Sequence, residues 1–277
     1  MDKLQSQIQQ VWETEQEILD VIHQVCIENH LRYSLAYGTL IGAVRHQGFI
    51  PWDDDIDIIM PREDYERLLL IWNQVAPTGY VLQNVRTDPD FTQSFTKIRK
   101  DHTTFLQDEF EWEKHYHKGV FVDIFPGDRV APGKLRRKLQ YVAAAVSLLY
   151  NRGHASGSGG FIGKVEQVLL KTPKEKYAKR REKAEKWIRR WNDNPALPYF
   201  FPSTIEDCRK FYPAELFEKM ETIEFCGKSY RCVSNPDAIL RLVYGDYMQL
   251  PPEEERVWKH HPILIDFEHN YEELPHK

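Results

Sequence analysis

Four of the five residues in the run Asp53-Asp54-Asp55-Ile56-Asp57 are aspartates. In a strand, residues two apart share a face, so Asp55 and Asp57 should project together while Ile56 and Ile58 turn to the core. Carboxylates held this close repel one another, which raises their pKa values unless a cation sits among them. Hard oxygen ligands of this kind suit Mg²⁺ or Mn²⁺, ions that keep positions open for water and phosphate oxygens. An EF-hand calcium loop also alternates aspartates, but it needs glycine at its sixth position, where Ile58 stands. A solvated acidic turn is the plainer alternative. It leaves unexplained why the run enters the apolar stretch Ile56-Asp57-Ile58-Ile59-Met60.

A pair of aspartates needs a third carboxylate to complete a phosphoryl-transfer site. Asp123 is the best candidate, a lone charge in Gly119-Val120-Phe121-Val122-Asp123-Ile124-Phe125-Pro126. A charge there needs a partner, and an ion pair with Lys97 or Arg99 is the structural alternative. Arg45, His46, Lys97 and Arg99 flank the acidic segments and could bind diphosphate oxygens, because phosphoryl transfer depends on positioning and charge neutralisation. Taken singly, each reads almost as well as part of a solvated basic face. Other signatures fail. Gly163-Lys164 looks like the tail of a P-loop, but Ser158 replaces its first glycine and Val165 its Ser/Thr. No Gly-x-Ser-x-Gly elbow is present, and His115 and His117 read as exposed loop residues.

The elements that must position these groups follow from periodicity. Leu4, Ile8, Val11, Ile18, Ile22 and Val25 recur at helical spacing and predict a helix over residues 3–29. Residues 31–37 read as a strand, Thr39 as the cap of a short helix to residue 45, and Gly48 and Pro51 as loop markers. Residues 56–60 predict a second strand, and Pro61 opens a helix with Leu68, Leu69 and Trp72 inward. Residues 80–85, 94–100 and 120–125 add three strands, which indicates an α/β or α+β domain around a mixed sheet. After Gly127 the composition shifts. The chain reads mainly helical from Lys134, interrupted by a Gly/Ser loop at 153–160, with a last helix from Asn235-Pro236-Asp237 to Gly245. This predicts a catalytic domain over residues 1–130 and a substrate-binding region over 131–277.

The totals set limits. A chain of 277 residues suits one large domain or two modest ones. Its net charge of −5 argues against a surface that grips nucleic acid, although a local basic patch exists. Cys26, Cys208, Cys226 and Cys232 lack Cys-x-x-Cys spacing and read as ordinary thiols. The polar N-terminus shows no signal peptide, and residues 141–150, the longest apolar stretch, are too short to cross a bilayer of roughly 30 Å. A cytoplasmic location is expected.

The stretch Tyr37-Gly38-Thr39-Leu40-Ile41-Gly42-Ala43-Val44-Arg45-His46-Gln47-Gly48-Phe49-Ile50-Pro51-Trp52-Asp53-Asp54-Asp55-Ile56-Asp57 closely resembles the LicD family. So do Val122-Asp123-Ile124-Phe125-Pro126 and the late Tyr244-Gly245-Asp246-Tyr247-Met248, in the family's order. That family includes bacterial phosphocholine transferases and shares its core with fukutin and fukutin-related protein. The resemblance implies a nucleotidyltransferase-like fold in which Gly38 and Thr39 approach phosphates, Asp55 and Asp57 hold Mg²⁺, and Asp123 is the third carboxylate. It implies transfer of phosphocholine from CDP-choline to a hydroxyl of a cell-surface glycan precursor, of lipopolysaccharide or teichoic-acid type, releasing CMP. The gap from Gly38 to Asp55 is longer than in simple nucleotidyltransferases, so Asp53 joins the expected metal ligands. The cysteine-rich zinc segment of fukutin-related protein is missing, and no zinc is expected. Trp52, Tyr33, Trp112 and Tyr116 are candidates to face the trimethylammonium group.

Two rivals stand beside this reading: transfer of a nucleotide monophosphate from an NTP by the same carboxylates, and a non-catalytic choline- or glycan-binding module. Over residues 164–190, eleven lysines or arginines face four glutamates. Together with the apolar stretch 141–150 this pattern suits an anionic membrane presenting a lipid-linked acceptor. A buried helix followed by a solvated basic one explains it equally well.

Overall fold

The computed structural model describes residues 3–107, 111, 113–157, 159–202, 210–258, 260 and 262–274. The chain opens with α1 (Lys3–Glu28), followed by β1 (Ser34–Leu35), α2 (Tyr37–His46), β2 (Asp57–Pro61) and α3 (Arg62–Val75). Then come β3 (Tyr80–Gln83), β4 (Thr96–Lys100), β5 (Thr104–Leu106) and β6 (Phe121–Arg129). The second half carries α4 (Lys134–Arg152), α5 (Gly160–Leu169), α6 (Tyr177–Arg189), β7 (Tyr199–Pro202) and β8 (Tyr212–Pro213). It ends with β9 (Glu221–Phe225), β10 (Lys228–Cys232), α7 (Pro236–Tyr244) and β11 (Leu264–Asp266).

The expected mixed α/β architecture is present. Among the described residues seven strands join one sheet, in the order β1-β2-β6-β4-β3, with β7 on β6 and β8 on β7. Its centre is β6. It runs parallel to β2 with Asp57 opposite Asp123 and antiparallel to β4 with Lys97 opposite Asp123. Beyond β4, its far end pairs with β7 from Gly127 to Arg129. The apolar faces of β2, β4 and β6 bury Ile58, Ile98, Val122 and Ile124 completely. α1 packs on them through Val11, Ile18, Leu19 and Ile22, and α3 through Leu68 and Trp72.

Local signals explain several boundaries. Pro61 precedes α3, whose first turn holds Glu63 and Asp64, acids that complement the positive end of the helix dipole. Asn235 caps α7 by accepting from the Ala238 N–H at 3.0 Å, and Gly245 ends it at φ +69°, a left-handed conformation open to glycine.

Other expectations need correction. The strand foreseen over 31–37 is reduced to Ser34–Leu35, because Tyr37 already opens α2. Thr39 is not its cap. The N-cap is Ala36, and the Thr39 hydroxyl accepts the Asp57 N–H instead, at 2.8 Å. The second half also supplies strands β7–β11, which its composition does not announce. The stretch 141–150 lies in α4, and Ala143 and Ala144 are buried with Val130, Ile188 and Phe201. That face packs inward and is not offered to a bilayer. Among the described residues no helix is long and apolar enough to cross a membrane. The described cysteines, Cys26, Cys226 and Cys232, are free thiols. Cys208 lies outside the described residues.

Candidate active site

The acidic run is held by backbone before any side chain acts. Asp123 donates its N–H to Ile56 O at 2.9 Å, and Asp57 O accepts from Ala36 N at 2.9 Å. Asp53 donates its N–H to Ile50 O at 2.9 Å, and its carbonyl accepts from the Trp12 indole at 2.8 Å. Ile56 and Ile58, fully buried, anchor the run on either side of Asp57. A Cβ built on Gly38 would lie 2.2 Å from Asp53 Oδ2, so only glycine admits that carboxylate at the first turn of α2. The positive end of α2 favours a negative group there. Tyr37, at φ +47°, takes a left-handed backbone to turn the chain sharply into this helix.

The carboxylates of Asp53, Asp54 and Asp55 each bring an oxygen within 4.8 Å of the others. Asp57 and Asp123 lie outside that triplet but face each other across β2 and β6. Burial, then Asp55, Asp123 and Asp53, pushes the Asp57 carboxyl well above the usual range. Asp55 is raised too, by burial and by Asp123 and Asp54, with His260 pulling the other way. Lys97 answers part of this charge: its ammonium donates to both Asp123 oxygens, at 2.7 and 2.9 Å, and lies 3.2 Å from the centre of the Phe121 ring. Burial lowers the Lys97 pKa against the opposing pull of Asp123. The ion pair foreseen as an alternative for Asp123 therefore exists, within the acidic site.

Two groups escaped the sequence reading. Glu15 of α1 is 1% exposed, and its Oε2 has no hydrogen-bond partner among the described residues. Burial, followed by Asp55, Asp54, Asp53 and Asp123, drives its pKa well up. A signal was present, since Glu15 continues the apolar spacing of Val11, Ile18 and Ile22. His260 gave no such signal. Its Nδ1 lies 2.9 Å from Asp54 Oδ1, its backbone N–H donates to Asp54 Oδ2 at 3.2 Å, and its Nε2 lies 3.9 Å from Asp55. Burial disfavours the imidazolium, but the Asp54 hydrogen bond and the charges of Asp55 and Asp54 outweigh it and raise the pKa. The return of β11 to β5, with Asp266 opposite Thr104, carries this segment to the site.

The expected basic and aromatic residues divide. Arg99 is buried and occupied, donating to Gln83 at 2.6 Å and to Gly119 O at 2.6 Å. Arg45, His46 and Trp52 gather at the opposite end of α2 from Gly38. Arg45 donates to Tyr247 O at 2.5 Å and to His46 at 2.9 Å. The Arg256 guanidinium lies 5.4 Å over the Trp52 ring, so a cation from the chain itself already faces that aromatic. Tyr33 is completely buried and bonded to His23, a core residue. Tyr116 donates to Glu111 and packs edge-on against Phe91. Trp112 lies outside the described residues.

Oxygen donors in mutual repulsion, with an orphan Glu15 oxygen beside them, fit a hard divalent cation. Such a set beside a helix N-terminus can bind and polarise phosphate oxygens. Residues 30–136 match the family described as LicD/FKTN/FKRP, nucleotidyltransferase domain. The chain is 30% identical over 257 residues, covering 86% of this chain and 90% of the relative, to the lipopolysaccharide cholinephosphotransferase LicD of Haemophilus influenzae. Uncharacterized proteins of Rickettsia prowazekii and Rickettsia typhi are 40% and 38% identical over 70 and 68 residues, about a quarter of each chain. The stretch that carries the resemblance, residues 37–57, is the same stretch that builds the acidic site, and this chain belongs to the LicD family, a family of transferases.

Proposed function

We propose that the chain transfers phosphocholine from CDP-choline to a hydroxyl of a cell-surface glycan precursor of lipopolysaccharide or teichoic-acid type. The acceptor would be lipid-linked and met at the cytoplasmic face of the membrane. The observation that carries this reading is the pairing of Asp57 with Asp123 across parallel strands, beside the glycine-opened end of α2. The space left by Gly38 seats the Asp53 carboxylate against the first turn of α2, which sets that acid beside the pair.

Asp53, Asp55, Asp57 and Asp123 would hold Mg²⁺ or Mn²⁺, which when bound supplies neutralisation of the diphosphate charge. Gly38 and Thr39 bring the backbone of α2 near the donor phosphates. The acceptor oxygen forms its bond to the choline-bearing phosphorus as the bridging P–O bond breaks, and that electron pair leaves with CMP. Asp123 receives the hydroxyl proton, while Lys97, bonded to both of its oxygens, fixes its orientation. His260 plays the corresponding part for Asp54.

The test is product identity. Purified protein, Mg²⁺, CDP-choline and a glycan acceptor should yield CMP and a phosphocholine-bearing glycan. Pyrophosphate from an NTP, without CMP from CDP-choline, would instead establish nucleotide transfer. A panel of CDP-alcohols fixes the choline assignment.

A further inference from the structure

Helix α5 presents its apolar side to solvent. Phe161, Ile162, Val165 and Val168 are 81%, 64%, 39% and 62% exposed. At 100° per residue these four fall on one arc of the helix. The opposite side meets the protein with small or polar groups. Gly163 is buried there, and Glu166 is engaged by Arg152 at 3.2 Å and by the Ser156 N–H and hydroxyl at 2.8 Å. A surface helix of a globular domain is ordinarily arranged the other way round. Contiguous exposed apolar surface of this kind marks a contact with something else.

The charges around it say what. Lys164 on α5, and Lys171, Lys174 and Lys176 just beyond its end, are all exposed, with Glu175 as the one exposed acid of residues 160–176. In a chain of net charge −5 this is a segregated positive collar. We propose that α5 and its lysines form a peripheral docking element for an anionic lipid bilayer. The apolar arc enters the headgroup boundary while the lysines meet lipid phosphates and carboxylates. A second copy of the chain fits poorly, because a two-fold contact through this face would set like charges against each other. The apolar inserting element is α5, not the inward-packed face of α4. This deepens the reading of a lipid-linked acceptor and takes its purpose from it, but the surface stands on its own geometry.

The experiment is flotation of the full chain with vesicles of phosphatidylcholine alone, or mixed with phosphatidylserine, at low and high salt. The chain should float with the anionic vesicles at low salt and lose most of that binding at high salt. The double variant Phe161→Ser/Val168→Ser should bind about tenfold more weakly or worse, and Lys171→Glu/Lys174→Glu should not float. Both variants should keep their circular dichroism and their CMP release with a soluble acceptor. Vesicle binding involves no donor, so its failure and a failure of the donor reading are recorded separately. Wild-type chain that stays off anionic vesicles at low salt overturns the proposal. So does flotation of the apolar variant at wild-type level, or a wild-type dimer that the apolar variant dissolves.

Discussion

β6 buries two aspartates five residues apart, and their surroundings are opposite. Asp128 is fully buried, gripped by Arg62 through two bonds of 2.9 and 2.7 Å and by the Asn192 amide at 2.6 Å. Burial works against the Arg62 charge, but Asp128 more than restores it and holds its pKa above the ordinary value. Asp123 has Lys97, but Asp55, Asp57 and Glu15 crowd the same region and are all pushed up in pKa. One end of the strand is balanced and can only stabilise. The other carries uncompensated negative charge that the fold must hold in place by backbone hydrogen bonds and buried isoleucines. Surplus negative charge, kept rigid, suits the divalent cation proposed above.

The sharpest break of this contrast is Asp57→Asn. Turnover should fall by about 10³-fold or more, roughly 4 kcal/mol of barrier, while the fold persists. With chelator present the melting temperature should hold or rise, because one repelling carboxylate is gone. Wild-type turnover in the folded variant would remove the cluster from the chemistry. The mirror experiment is Arg62→Met, which leaves Asp128 buried without its counter-charge and should cost about 3–5 kcal/mol of stability in denaturant titrations. Its folded fraction should keep its specific activity, and a drop in KM-independent rate without loss of stability would contradict the division.

Gly38→Ala sharpens the acidic side further. Its methyl must displace the Asp53 carboxylate, so turnover should drop by roughly 10–100-fold, or about 1.4–2.7 kcal/mol. Stability should change little. Full activity in this variant would mean that Asp53 has no fixed place in the site.

The smallest effect concerns Glu15. Its folded-state pKa is raised, so its protonated form is the stabilised one. That contribution is complete below the unfolded carboxylate pKa and is lost as pH rises through the folded one. Glu15→Gln keeps a neutral side chain at every pH. In metal-free buffer it should melt with the wild type near pH 4 and above it at pH 8, and added Mg²⁺ should narrow the gap. Parallel melting curves across pH would show that Glu15 does not share the field of the aspartates.

Much of this was legible in one dimension. Residues 55–58 alternate aspartate and isoleucine, the period of a strand with two unlike faces, and Asp123 declares itself as a lone carboxylate in an apolar run. Helices α1, α3 and α7 announce themselves by spacing, Pro61 and the Asn235 cap. These signals are local, because they depend on residues within a turn or a strand of one another.

The registers and partners were not legible. That Asp57 faces Asp123, and that Lys97 bridges the latter, depends on β2, β4 and β6 lying side by side, contacts separated by tens of residues. Glu15 and His260 reach the site from opposite ends of the chain, one by helix packing and one by the pairing of β11 with β5. The same is true of which apolar helix faces water. Residues 141–150 read as the longest apolar stretch, yet Ala143 and Ala144 within it pack against Ile188 and Phe201, while Phe161, Ile162 and Val168 of α5, which the sequence reading did not single out, stand exposed. Hydrophobicity is a property of residues, but burial is a property of neighbours, and neighbours are assigned by the tertiary fold.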